Sequence, residues 1–143
     1  MRSPGGRRRL DGTGEPSMND VSAENYMQEP VRYPGLQVID LTAEAGAVTE
    51  SYRNQVLNRV NGACLRLAVF EGPYRWHKHP KSDELFIVLE GAMLIELQDG
   101  RSLRLGPLQA ATVPAGMVHR TSGIGRTVNL CFEELAAETE FLD

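Results

Sequence analysis

Histidine is scarce in this chain: its 143 residues include only three. Cysteine is nearly as rare, with two residues, so a disulfide framework of the small secreted kind is excluded. Cys64 and Cys131 both lie in apolar, strand-like runs, where buried reduced thiols are the expectation and a redox pair is not. No apolar run reaches the length of a membrane span, and no apolar segment follows the basic opening Met1–Arg9, so that opening fails as a secretory signal. Basic charge is also lacking. Fifteen Lys+Arg stand against 19 Asp+Glu, a net charge of −4 that leaves no footprint for nucleic acid. Long helix patterns are absent. What remains is one domain's length of chain, expected to be cytoplasmic, with short alternating apolar runs.

Residues 1–29 are polar and rich in Gly, Pro, Asn and Glu, the composition of a disordered arm. An alternative reading starts translation at Met18. Pro30 and Pro34-Gly35 punctuate the entry to a β-domain over residues 30–135, and residues 136–143 read as an acidic, solvated tail continuing from Glu133-Glu134. Leu36 to Leu41 suggests a first edge strand. Ala43 to Ala47 suggests one helical turn, capped by Thr42 and stopped at Gly46. Asn61-Gly62 predicts a tight hairpin between strands over 55–60 and 63–70. Further runs at 74–79, 85–89, 93–97, 102–105, 111–113, 118–120 and 127–132 are split by Gly, Pro and Asp-Gly turns. Many short strands at regular spacing predict an all-β sandwich or barrel. Along 85–89 both faces are apolar. With Phe86 and Val88 inward, Leu85, Ile87 and Leu89 form an outer row that needs cover from a second sheet or another subunit. Met93, Ile95, Leu97, Leu103 and Leu105 complete the expected core.

The three histidines are not scattered. His77 and His79 are spaced i,i+2, so in an extended chain both imidazoles project from one face. The turn Pro80-Lys81-Ser82 can return Glu84 beside them, and His119 follows a second turn, Pro114-Ala115-Gly116. Three neutral imidazoles and one carboxylate suit one divalent transition metal, of which Fe, Mn, Ni, Cu, Co and Zn are all compatible. Strand alternation places Arg75 on the histidines' face and turns Tyr74, Trp76 and Lys78 away. Arg75, Arg66 and Arg120 are thus candidate binders of an anionic substrate group, Phe86 is a further substrate-binding candidate, and Trp76 is a candidate stacking wall. Arg75 and Tyr74 are the catalytic candidates. For each arginine the plainer reading is a surface residue, and for each aromatic a packing residue.

At these residues the chain resembles the cupin superfamily. Gly72, His77, His79, Glu84 and Gly91 follow its first motif; Gly106, Pro114, Gly116 and His119 follow its second. The second motif departs in a longer gap between Gly106 and Pro114, and in Gly123 where an asparagine is usual. The run His77-Lys78-His79-Pro80 with Asp83-Glu84-Leu85-Phe86 is similar to small cupins grouped as mannose-6-phosphate-isomerase-like, a label that does not establish isomerase activity. The resemblance implies a double-stranded β-helix (jelly-roll barrel) with His77, His79, Glu84 and His119 as metal ligands. It also implies a metalloenzyme acting on a small organic molecule, with oxygenase chemistry ranked first and isomerase or lyase chemistry second. The alternative is a non-enzymatic, metal-dependent binding or sensing module. The expected partners are a small-molecule ligand and a second copy of the chain, a homodimer formed through the outer aliphatic row or an exchanged N-terminal strand, with neither nucleic acid nor membrane.

Overall fold

The computed structural model describes residues 22–142. Two short helices precede eight strands: α1 (Ala23–Met27), α2 (Leu41–Gly46), β1 (Tyr52–Val60), β2 (Ala63–Pro73), β3 (His77–Lys78), β4 (Glu84–Leu97), β5 (Ser102–Leu105), β6 (Ala110–Val113), β7 (His119–Glu134) and β8 (Glu140–Phe141). All named pairings are antiparallel, and they form one curled sheet in the order β1-β2-β7-β3-β8, with β4 joining β5, β6 and β7. This is the all-β double-stranded β-helix.

The hairpin expected at Asn61-Gly62 joins β1 to β2, with Val60 opposite Ala63 and Asn61 at a φ of 55°. Asp99-Gly100 lies in the longer connection 98–101 that joins β4 to β5, and Gly100 takes the positive φ of 91°. Two runs that read as separate strands, 85–89 and 93–97, are one bent strand, β4. Gly91 makes the bend: its φ is 77°, and a Cβ there would lie 2.5 Å from the Arg126 carbonyl oxygen. A side chain is excluded on both counts. The antiparallel partner, β7, likewise merges 118–120 with 127–132.

Alternation along β4 sorts the core. Phe86, Val88, Met93 and Ile95 are buried inside the barrel with Phe70 and Leu105, as expected; Leu103 instead faces out. Outside the barrel, Ile87 and Leu89 pack against Ala45, Val48, Leu57 and Leu67. That part of the outer row is therefore covered by this chain's own residues around α2.

The N-terminal reading needs correction. Leu36 to Leu41 is not a strand: Pro34-Gly35 turns the chain, Leu36 has a φ of 62°, and Leu36 and Val38 are fully solvated. The edge contact comes earlier, where Val31 bridges Val56 and the Arg32 and Tyr33 amides donate to the Val56 and Leu57 carbonyls. The cap of α2 is Asp40, whose carboxylate accepts from the Ala43 amide, and not Thr42. The 1–29 arm is ordered in its last part. Ser22 caps α1, which buries Tyr26. Residues 1–21, including the possible start at Met18, lie outside the described residues.

The acidic tail is corrected too. Glu133 belongs to β7 and is 3% exposed, Ala137 and Thr139 are buried, and β8 pairs with β3. Charge composition alone gave a solvated tail, whereas the alternation Asn129, Cys131, Glu133 carries the carboxylate inward.

Candidate metal centre

The β-ladder assembles the histidines. In the antiparallel pair of β3 and β7, His77 stands directly opposite His119, with ring centroids 4.4 Å apart. His79 follows β3 immediately, and its carbonyl accepts from the Gly116 amide at 2.9 Å, which ties the second glycine/proline turn to the first histidine pair. Asp83 serves the same junction, its carboxylate accepting from the Ala115 amide at 2.8 Å. Glu84 opens β4 and points inward. All four expected ligands are buried, at 4% or less exposed.

Hydrogen bonding fixes the imidazole orientations. Nδ1 of His77 lies 2.8 Å from the Arg75 carbonyl, Nδ1 of His79 lies 3.0 Å from the Glu138 carbonyl, and Nδ1 of His119 lies 2.9 Å from the Met117 carbonyl. A carbonyl oxygen only accepts, so each Nδ1 carries a proton and, in a neutral ring, each Nε2 presents a lone pair. His119 Nε2 sits 3.1 Å from Glu84 Oε1, and His79 Nε2 sits 3.4 Å from Glu84 Oε2. Lone pairs facing carboxylate oxygens across such distances repel unless a proton or a cation lies between them. His79 Nε2 is buried without a hydrogen-bond partner. Two groups of donor atoms lie within 4.8 Å of one another, His77 with Glu84 and His119, and His79 with Glu84 and Glu133, and Glu84 is common to both. A divalent metal fits this donor set, since the second nitrogen of each ring is already held, as ligating histidines require.

The electrostatics agree for His77 and Glu84. Burial, and then His119 nearby, depress the His77 pKa to about 4. Burial alone would raise Glu84, but His119 and His79 beside it outweigh burial and hold the carboxyl well below its ordinary range. Burial also works against the His79 cation, yet the Glu84 carboxylate beside it raises His79 overall. Glu133 is pushed well above the ordinary range by burial and by the Glu84 charge.

Beside the histidines lies a cavity of about 440 Å³, its open mouth included, lined by Tyr52, Tyr74, Phe86 and Asn129 among others. Phe86 lines it, whereas Trp76 does not. Arg75 is not there. The chain is irregular between β2 and β3, so alternation fails across residues 74–76. Tyr74 turns to the cavity, edge-on to His77 at 5.2 Å, while the Arg75 guanidinium stacks 3.9 Å from the Phe141 ring. Arg66 is 2% exposed and engaged inside, its Nε 3.1 Å from Glu133 and its guanidinium 3.8 Å over the Tyr26 ring. Arg120 pairs with Glu96 and lies 4.8 Å over Trp76. Among the described residues lining the cavity there is no lysine or arginine.

Tyr26, Cys131 and Glu133 were not legible as site residues. Tyr26 stacks 5.5 Å from His79 and donates to Glu133. The Cys131 thiol, raised by burial and the neighbouring carboxylates, stays protonated and donates to Glu84 over 3.0 Å. Continuing β7 one residue beyond Phe132 would have placed Glu133 beside Cys131 on the inner face. No sequence signal pointed to Tyr26.

Known proteins share this fold. The family model described as "Cupin domain" matches residues 68–132, which contain His77, His79, Glu84 and His119. YdbB of Bacillus subtilis, an uncharacterised protein, is 48% identical over 104 residues, covering 73% of this chain and 92% of YdbB. The chain belongs to the cupin superfamily. Among solved structures, protein NMB1881 of Neisseria meningitidis superposes with a TM-score of 0.64 at 28% identity, covering 68% of this chain and 99% of the other. A cupin-2 domain protein of Shewanella frigidimarina gives the same TM-score at 25% identity, with 68% and 94% covered. No helix among the described residues is long and apolar enough to cross a membrane.

Proposed function

We propose that this cupin is a metalloenzyme that acts on a small organic molecule held beside His77 and Glu84. One observation carries the reading: three imidazoles, each fixed through Nδ1 by a backbone carbonyl, turn toward one buried carboxylate at the edge of a cavity. His77, His79, Glu84 and His119 would hold the ion. Bound there, a divalent transition metal supplies Lewis acidity toward a carbonyl or hydroxyl oxygen and, if redox-active, dioxygen chemistry.

The rest is done by the chain. Tyr52 and Tyr74 stack with centroids 6.1 Å apart. Burial lifts Tyr52 to about 12 and Tyr74 well above its ordinary value, so both phenols stay protonated and act as donors at neutral pH. Asn129 offers a buried side-chain oxygen without a hydrogen-bond partner. Phe70 and Phe86 supply apolar walls that exclude water. With no lysine or arginine in the lining, the metal and the tyrosine hydroxyls are the groups left to bind an oxygen-bearing substrate. Oxygenase chemistry ranks first and isomerase or lyase chemistry second.

Turnover decides between an enzyme and a binding module. Protein reloaded with Fe(II) or Mn(II) is incubated with a panel of small hydroxy- and oxo-compounds while dioxygen uptake and product masses are followed. Saturable conversion that vanishes in His119→Ala is the expected result. Compounds that bind with no conversion, under air or anaerobically, would overturn the enzyme reading.

A further inference from the structure

The four ligands named above leave the polar groups at the back of the site unexplained. Glu133, from the end of β7, is 3% exposed. Its Oε1 is fully used, accepting from the Tyr26 hydroxyl and lying 3.1 Å from Arg66 Nε. Its Oε2 is buried with no hydrogen-bond partner. That bare oxygen lies 3.5 Å from His79 Nε2, itself buried and unpartnered. Glu84 completes this group, whose donor atoms all lie within 4.8 Å of one another. The sheet explains the closeness. Leu85 pairs with Phe132 across β4 and β7, so one step further along the register brings Glu84 level with Glu133.

Had Glu133 served only as a counter-ion to Arg66, burying its second oxygen without a partner would be pure cost.

We propose that Glu133 is itself a metal ligand, adding a second carboxylate to His79 and Glu84, with Arg66 and Tyr26 fixing its other oxygen. The assignment rests on the metal reading above. It makes the donor set harder than three imidazoles and one carboxylate, favouring Mn(II) or Fe(II) over softer ions. It also gives the N-terminal helix a purpose, since Tyr26 orients a ligand.

Mn(II) titration with water-proton relaxation tests this, because the enhancement per bound ion counts water molecules on the metal. Glu133→Gln keeps the volume and can still accept from Tyr26 beside Arg66. The double variant Arg66→Met/Glu133→Leu removes both buried charges, guarding against misfolding. In both, Mn(II) affinity should fall about tenfold or more, and the enhancement per bound ion should rise as water takes the vacated position. A residue that merely positions others would lower affinity without changing the enhancement. Unchanged enhancement in both variants would overturn the assignment while leaving the four-ligand site intact, provided His77→Ala still loses Mn(II). If the unaltered protein takes up no Mn(II), the metal reading falls and this assignment with it.

Discussion

At the scale of single residues, the site depends on what each imidazole does with its second nitrogen. Backbone carbonyls of Arg75, Met117 and Glu138 hold the three Nδ1 protons, so the rings cannot rotate without losing a buried bond. This orientation has a consequence for the metal-free protein. His77 is depressed to about 4, chiefly by burial, against an ordinary value of 6.5. Between those two pH values the unfolded chain takes up a proton that the folded one refuses, so stability falls as pH drops from 6.5 toward 4. The size is about 3 kcal/mol for this group alone. Glu84, depressed, loses stability in the same direction at lower pH; His79, raised, gains as pH falls and opposes both. Urea unfolding of chelator-treated protein should therefore depend less steeply on pH between 6.5 and 4 in His77→Phe than in the unaltered chain. Equal slopes would show that His77 is not held neutral by burial.

At the scale of elements, the histidine spacing and the glycine turns carried most of the architecture. Asn61-Gly62 and Asp99-Gly100 set two hairpins locally, and alternation along β4 separated Phe86 and Val88 from Ile87 and Leu89 without any knowledge of the fold. Alternation failed where the strand did. Residues 74–76 are irregular, so Tyr74 and Arg75 exchanged the sides expected of them, and no local pattern announces such a break. Gly91 tests how far β4 depends on its bend. Gly91→Ala would put a methyl group 2.5 Å from a backbone oxygen at a φ of 77°, whereas Gly116→Ala, at a φ of 81°, would meet nothing within 4 Å. The first should cost about 3 kcal/mol or more in urea unfolding and the second about 1 kcal/mol. Similar losses at both positions would mean that the close approach of β4 and β7 at Arg126 does not constrain the fold.

At the scale of the molecule, the two ends of the described chain close on the candidate metal centre. Tyr26 reaches it from α1, Glu138 and Thr139 support His79, and β8 pairs with the strand that carries His77. Composition assigned both ends to solvent, because polar and acidic residues fail the hydrophobic test of a core. Their contacts are made with other polar groups, a relation that only the folded sheet brings about. The four candidate ligands were legible because they sit in two short motifs; Tyr26, Cys131 and Glu133, which surround them, were not, and Arg66 was read as a substrate binder although it packs against Glu133 and Tyr26. Metal content by elemental analysis tests the central claim most directly, on untagged protein produced with a mixture of transition metals, beside His77→Ala. About one bound ion per chain, lost in the variant, is the predicted result. Protein that carries no metal, or a variant that retains it, would contradict the account.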